Sequence, residues 1–178
     1  LPYNTSADDI REKNPKGIIL TGGPKSINDQ GAPKCDKEVF EMGIPVLGIC
    51  YGSQLMSYYF GGKIAKAEER GYGKTSICYN TDSDLFYGLE SDSVCWMGDE
   101  DCVEEAPKGF DVIASADNCP VAAMADPARG LYGVQFYLDS VHTRYGSEIL
   151  RNFLFRICKC SGNWDMAKFV EHSINAIK

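Results

Sequence analysis

The sequence predicts an α/β fold, and three observations carry that prediction. Short apolar runs of strand character alternate with helical patterns through the first third of the chain. Strand patterns separated by turn residues fill the middle, and helical stripes close the chain. Within Gly43–Leu55, GIPVLGICYGSQL, an apolar run breaks abruptly into a helical pattern at Cys50.

Taken in order, Gly17–Thr21 reads as a buried strand ending in Gly22-Gly23-Pro24. Pro33–Met42 reads as a helix, and Ile44–Ile49 as the next strand. Tyr51–Phe60 is a helix closed by Gly61-Gly62. Strands are expected at Lys74–Tyr79, Ser93–Met97, Asp111–Ala116, Val121–Ala125 and Leu131–Phe136. Tyr145–Cys158 carries a helical stripe of Ile149, Leu150, Phe153, Leu154 and Ile157. A last amphipathic helix is expected at Trp164–Ile177, with His172 on its polar side. No repeat or linker divides the sequence, so residues 1–178 are read as one domain, a size that can bury one core.

Gly48 and Gly52 flank Cys50 two residues to either side, which is the spacing of a nucleophile elbow with cysteine in place of serine. A tight strand-to-helix turn leaves no room for side chains there, hence the glycines. A thiol at the first turn of a helix also feels the positive end of the helix dipole, which favours thiolate. An isolated cysteine would instead read as a buried core residue. Gly22-Gly23-Pro24-Lys25-Ser26 lacks the longer spacing of a phosphate loop. It reads either as a plain turn or as the source of a glycine amide that, with the amide after Cys50, makes an oxyanion hole.

A net charge of −7 and a pI near 4.8 argue against nucleic acid as a partner. No run is apolar and long enough to span a bilayer, and LPYNTSADDI has no signal-peptide character, so a cytoplasmic protein without membrane contact is expected. Eight scattered cysteines without that signal point to reduced thiols. No CxxC pair occurs and only two histidines are present, so neither a metal nor a cofactor is expected. Cys158-x-Cys160 reads as a helix end running into Ser161-Gly162.

The segments GIILTGGPKSI, APKCDKEVFEMGIPVLGICYGSQLM, FGGKIAKAEE, LYGVQF, VHT, ILRNFLFRIC and CSGNW, in that order, resemble the class I glutamine amidotransferase domain of GMP synthases. The resemblance implies a flavodoxin-like α/β core with a mixed, largely parallel sheet flanked by helices. It implies a Cys-His-Glu triad that hydrolyses glutamine and passes ammonia to an ATP-pyrophosphatase (synthetase) domain or subunit. By this resemblance Cys50 is the nucleophile, the amides of Gly23 and Tyr51 form the oxyanion hole, and Gln54 helps hold the substrate. A strand, a helix and a second strand are expected ahead of the position of Leu1, so the N-terminal strand and helix are read as missing. The synthetase domain is likewise read as absent, leaving a chain that cannot make GMP by itself.

Departures from the resemblance cluster at the site. Where the family has Phe-His-Pro-Glu, this chain has Phe136-Tyr137-Leu138-Asp139. Tyr137 therefore stands in the place of the general base and Asp139 in the place of the acid that orients it. The family's Trp-Met-Ser-His-Gly-Asp segment appears as Trp96-Met97-Gly98-Asp99-Glu100-Asp101, and Gly71 replaces a usual Glu. A phenol with an ordinary pKa of about 10 cannot shuttle protons at neutral pH as imidazole does. His142 belongs to the family's own Val-x-His-Thr run, which argues against its serving as a substitute base, and no further ligands lie at a spacing that would let it hold a metal with Asp139. Three readings follow. The chain is an impaired glutaminase, an inactive domain that binds glutamine or docks on a synthetase, or a cysteine hydrolase of another γ-glutamyl compound.

Overall fold

The computed structural model describes residues 1–23, 26–66, 73–98, 101–163 and 174–175. Gly71, the residues 24–25 and 99–100, and the expected final helix with His172 (apart from 174–175) lie outside the described residues.

Nine strands are described: β1 (Ile18–Leu20), β2 (Val46–Ile49), β3 (Lys63–Lys66), β4 (Gly73–Tyr79), β5 (Asp92–Met97), β6 (Asp101–Glu105), β7 (Asp111–Ala116), β8 (Cys119–Asp126) and β9 (Leu131–Val134). Seven form one sheet in the order β1-β2-β9-β8-β7-β4-β5, and β3 pairs with β6 in a separate antiparallel ribbon. The large sheet is mixed, as expected. Parallel pairing joins only β1, β2 and β9, and every pairing from β9 through β8, β7 and β4 to β5 is antiparallel. The parallel share among the described strands is therefore smaller than expected, because β7 and β8 follow one another through a tight turn rather than a helical crossover.

Side chains alternate across this sheet with the period of two that strands impose. Val46, Met124 and Leu131 face one core with Val39, Phe40, Leu55 and Met56. Leu47, Ala123, Ala125, Tyr132 and Val134 face the other, with Phe86, Ile149 and Phe153. Helix α2 (Tyr51–Phe60) covers the first face and α3 (Gly146–Asn152) the second. Gly61, at φ +82°, terminates α2 in the left-handed cap that glycine favours. Beyond α3 the chain continues as a wider, π-type turn over Phe153–Ile157 before Cys158. The ribbon β3–β6 adds Ile64 and Val103 to the α2 side.

Several elements depart from expectation. The helix expected over 33–42 is a single 3₁₀ turn, Lys37–Phe40. The carbonyl of Pro33 accepts from the Tyr51 hydroxyl and that of Cys35 from the Tyr59 hydroxyl, so helical amides do not take them. Asp36 then caps the turn through the Glu38 amide, and Gly43, at φ +71°, ends the segment. A short helix α1 (Ala7–Glu12), capped by Ser6, was not expected, nor were β3 and β6. The last two are short and charged, and Lys63 of β3 pairs across the ribbon with Glu104 of β6 at 2.7 Å.

Candidate active site

The three parallel strands β1, β2 and β9 lie side by side, and the segments leaving their carboxyl ends meet in one place. Gly22 and Gly23 follow β1, Cys50 follows β2, and Gln135–Tyr137 follow β9. Open α/β sheets gather ligands at this edge because the loops there diverge and leave a crevice. Chain positions as distant as 22, 50 and 137 thereby become neighbours.

Cys50 is the junction residue between β2 and α2, at φ +50° and ψ −110°, and it is 1 % exposed. A non-glycine residue at this φ is a backbone outlier, of the kind that persists where its surroundings over-determine it. The surroundings here are visible. The Cys50 amide donates to the Val134 carbonyl at 2.8 Å, continuing the β2–β9 ladder. Its carbonyl accepts from the amides of Ser53 and Gln54, which starts α2. A Cβ on Gly48 would run into the Gly52 backbone, and one on Gly52 into the Leu20 carbonyl. The glycines therefore let α2 sit directly against β2 and β1, and that contact forces the sharp turn.

Gly22 is the shared neighbour of the two side chains of interest. A methyl group placed on it would touch Cys50 Cβ at 3.5 Å and Tyr137 Cε1 at 4.0 Å. The Tyr137 ring thus borders the same small space as the elbow. Gly23 lies alongside Tyr51, whose ring atoms a Cβ there would meet from 3.6 Å outward. Asp139, in contrast, is exposed, and no described residue pairs with its carboxylate. Leu138 between them is buried, so successive side chains point into and away from the core. His142, the only histidine among the described residues, is exposed and tilts over the Trp96 ring at 4.8 Å between centroids.

Tyr137 is held by its backbone. Its amide donates to the Trp96 carbonyl at 3.0 Å, and its carbonyl accepts from Thr143 Oγ1. The same hydroxyl oxygen accepts from the Trp96 amide at 3.1 Å, so Thr143 clamps the end of β5 to the segment after β9. Gln54 is buried, and its Nε2 donates to the Asp101 carbonyl at 3.0 Å, which links α2 to β6. The Asp101 carboxylate accepts from Ser26 Oγ through one oxygen, and its other oxygen is buried without a hydrogen bond. Ser26, Asp101 and Thr143 carry the frame of the site and were not singled out from sequence. The VHT run was the one available signal for Thr143.

A cavity of about 530 Å³ runs beside β1, from Leu1 and Ile10 to Gly22, Gly23 and Tyr51 at the edge of the site. Cys50 does not line it. Tyr51 is anchored through its hydroxyl on the Pro33 carbonyl, and burial pushes its phenol up to about 12. No group of three His, Cys, Asp or Glu side chains among the described residues is arranged to hold a metal.

The sequence pattern of the family described as glutamine amidotransferase class-I matches residues 1–157, the elbow and the Tyr137 segment included. The chain belongs to the class I glutamine amidotransferases. It is similar to glutamine-hydrolysing GMP synthase of Acetivibrio thermocellus, with 57% identity over 178 residues, and to that of Caldicellulosiruptor saccharolyticus, with 53% over 177. These alignments cover 100% and 99% of this amidotransferase chain but 35% of either relative, so it spans about a third of their length. Among solved structures, a Thermoplasma acidophilum protein described as a GMP synthase subunit superposes with a TM-score of 0.74 at 29% identity, over 89% of this chain and 79% of that one. A Thermotoga maritima glutamine amidotransferase superposes with a TM-score of 0.69 at 16% identity, over 85% and 90%, and shares the amidotransferase fold. No helix among the described residues is long and apolar enough to cross a membrane.

Proposed function

We infer that this amidotransferase domain is the glutamine-handling part of a GMP synthase, with Cys50 as nucleophile and with turnover curtailed at the base position. The observation that carries the reading is the strained, buried elbow at Cys50, with Gly22 and Tyr137 packed beside it. The Cys50 thiolate would attack the glutamine side-chain amide. The amides of Gly23 and Tyr51 would receive the developing oxyanion, a kind of stabilisation worth about 10²–10³-fold per donor. Gln54, committed to Asp101 through Nε2, would shape the substrate side of the site.

Two later steps need a proton carrier: release of ammonia, and activation of water against the thioester. By the resemblance Tyr137 takes the place of that carrier and Asp139 that of its orienting acid, and the exposure of Asp139 supports a curtailed relay. General acid–base catalysis contributes about 10²–10⁴-fold, so acylation of Cys50 would outlast hydrolysis. Ammonia formed here would serve an ATP-using synthetase domain or subunit that aminates XMP, as the similarity to GMP synthases suggests. The exposure of Asp139 also favours a second reading, a domain that binds glutamine or docks on the synthetase without turnover.

Ammonia release from glutamine distinguishes them, measured for the chain, for Cys50→Ala, and for Tyr137→His/Leu138→Pro/Asp139→Glu. The curtailed-enzyme reading expects weak release that Cys50→Ala abolishes and the triple variant raises by at least about 10²-fold. Full family-like turnover in the unaltered chain would remove the claim about Tyr137. Silence in all three, with glutamine still bound, would favour the non-catalytic reading.

A further inference from the structure

Cys102 and Cys119 face each other across a boundary between two sheets. Cys102 lies in β6 of the small ribbon, and Cys119 opens β8 of the large sheet. Their sulfurs are 2.8 Å apart, in hydrogen-bond contact, and both residues are buried, at 8% and 1% exposure. We propose that these two thiols are a redox site, closing to a reversible disulfide that ties the ribbon to the main sheet and acts on the neighbouring candidate site.

The pair is chemically asymmetric. The contact between the two sulfurs favours thiolate at Cys102, while that contact together with burial holds the proton on Cys119. Cys102 is also the more exposed of the two, which suits it to react first. With hydrogen peroxide as oxidant, the Cys102 thiolate attacks a peroxide oxygen, the O–O bond breaks, and a sulfenic acid and one hydroxide result. Cys119 then attacks that sulfur, the S–S bond forms, the S–O bond breaks, and the second hydroxide leaves. The two thiol protons and the two hydroxides make two waters. The sulfurs together lose two electrons and the peroxide gains them.

Closing the bond draws the sulfurs from 2.8 Å to about 2.05 Å. Asp101, the residue before Cys102, holds Gln54 through its carbonyl and Ser26 through its carboxylate. Movement of β6 toward β8 therefore acts on both contacts at once. The effect on glutamine rests on the function proposed above, but the disulfide does not.

The whole chain is treated with hydrogen peroxide, its remaining thiols are alkylated under denaturing conditions, and the product is digested without reductant by trypsin and an Asp-specific protease. Cleavage before Asp101 and after Lys108 separates Cys102 from Cys95, and cleavage before Asp117 isolates Cys119 from earlier cysteines. The expected result is a cross-linked peptide pair joining Cys102 to Cys119, released by dithiothreitol and absent from Cys102→Ser. Recovery of both peptides alkylated, irreversible oxidation of Cys102 alone, or a cross-link of either residue to another cysteine overturns the proposal. The unaltered chain decides this even if Cys102→Ser fails to fold. Calorimetric titration with glutamine of Cys50→Ala, which removes both acylation and oxidation at position 50, is expected to show binding about fivefold or more weaker after peroxide treatment, restored by reductant. Equal binding in a fully cross-linked sample overturns the coupling to the site. A chain that cross-links yet binds no glutamine in either state supports the disulfide and fails the glutamine reading.

Discussion

The Thr143 hydroxyl donates to the Tyr137 carbonyl at 2.5 Å, so Tyr137 is placed by a side chain six residues further on. The same oxygen takes the Trp96 amide, and Thr143 is buried. Thr143→Val keeps the shape, but it leaves one buried donor and one buried acceptor unpaired. A loss of about 1–3 kcal/mol in unfolding free energy is expected. Urea unfolding checks this, and Thr143→Ser, which keeps the hydroxyl, should retain most of it.

The two glycines of the elbow and Gly73 of β4 differ sharply in what an added methyl would meet. Gly52→Ala drives a Cβ into the Leu20 carbonyl, and Gly48→Ala into the Gly52 backbone, so each should lose about 1–3 kcal/mol or more. Gly73→Ala meets nothing within 4 Å among the described residues and should stay within about 0.5 kcal/mol of the parent. Equal stabilities across the three would contradict the close approach of α2 to β1 and β2.

On the proposed function, glutamine added to the chain should leave a glutamyl group on Cys50, visible by intact mass as glutamine less ammonia, since solvent can protonate the departing ammonia whereas attack on the thioester needs a water to be deprotonated. The adduct should vanish in Cys50→Ala. In Tyr137→His/Leu138→Pro/Asp139→Glu it should decay faster, and a longer-lived adduct there would count against the role given to position 137.

Stability should fall at alkaline pH. Burial pushes the Cys95 thiol up to about 12 and the Cys35 thiol up to about 11, and it raises the phenol of Tyr51 to about 12. The unfolded chain releases these protons at about pH 8.5–10, so above that range the folded state binds more protons and unfolding becomes easier as pH rises. The stabilisation is complete below about pH 8 and is lost progressively toward pH 11–12. Melting temperatures across this window should decline, and Cys95→Ala should flatten the decline by about one proton.

Much of this was legible in the sequence because it depends on local chemistry. The glycines around Cys50 and the apolar run before it announce a strand turning into a helix, and β2 and α2 lie where that pattern puts them. The strands β4, β5, β7, β8 and β9 likewise follow their alternation and turn residues. Long-range partners decided what was not legible. Pro33 and Cys35 sit in a helical pattern, but Tyr51 and Tyr59 reach across from α2 to take their carbonyls. Asp101 reads as one more acid in an acidic stretch until β6 brings it against Ser26 and Gln54. Ribbon strands β3 and β6 have too few apolar positions to show a period, and they are recognisable only as a pair.

The backbone angle at Cys50 has a consequence for the whole molecule. A residue bearing a side chain at φ +50° stores about 1–3 kcal/mol of strain, which the surrounding contacts must supply. Glycine would relieve that strain and delete the sulfur. Folding and chemistry therefore have different best answers at position 50, and this chain carries the chemical one. At this position the fold is held short of its own optimum, and the stability difference between cysteine and glycine there measures how strongly the rest of the structure must grip that sulfur.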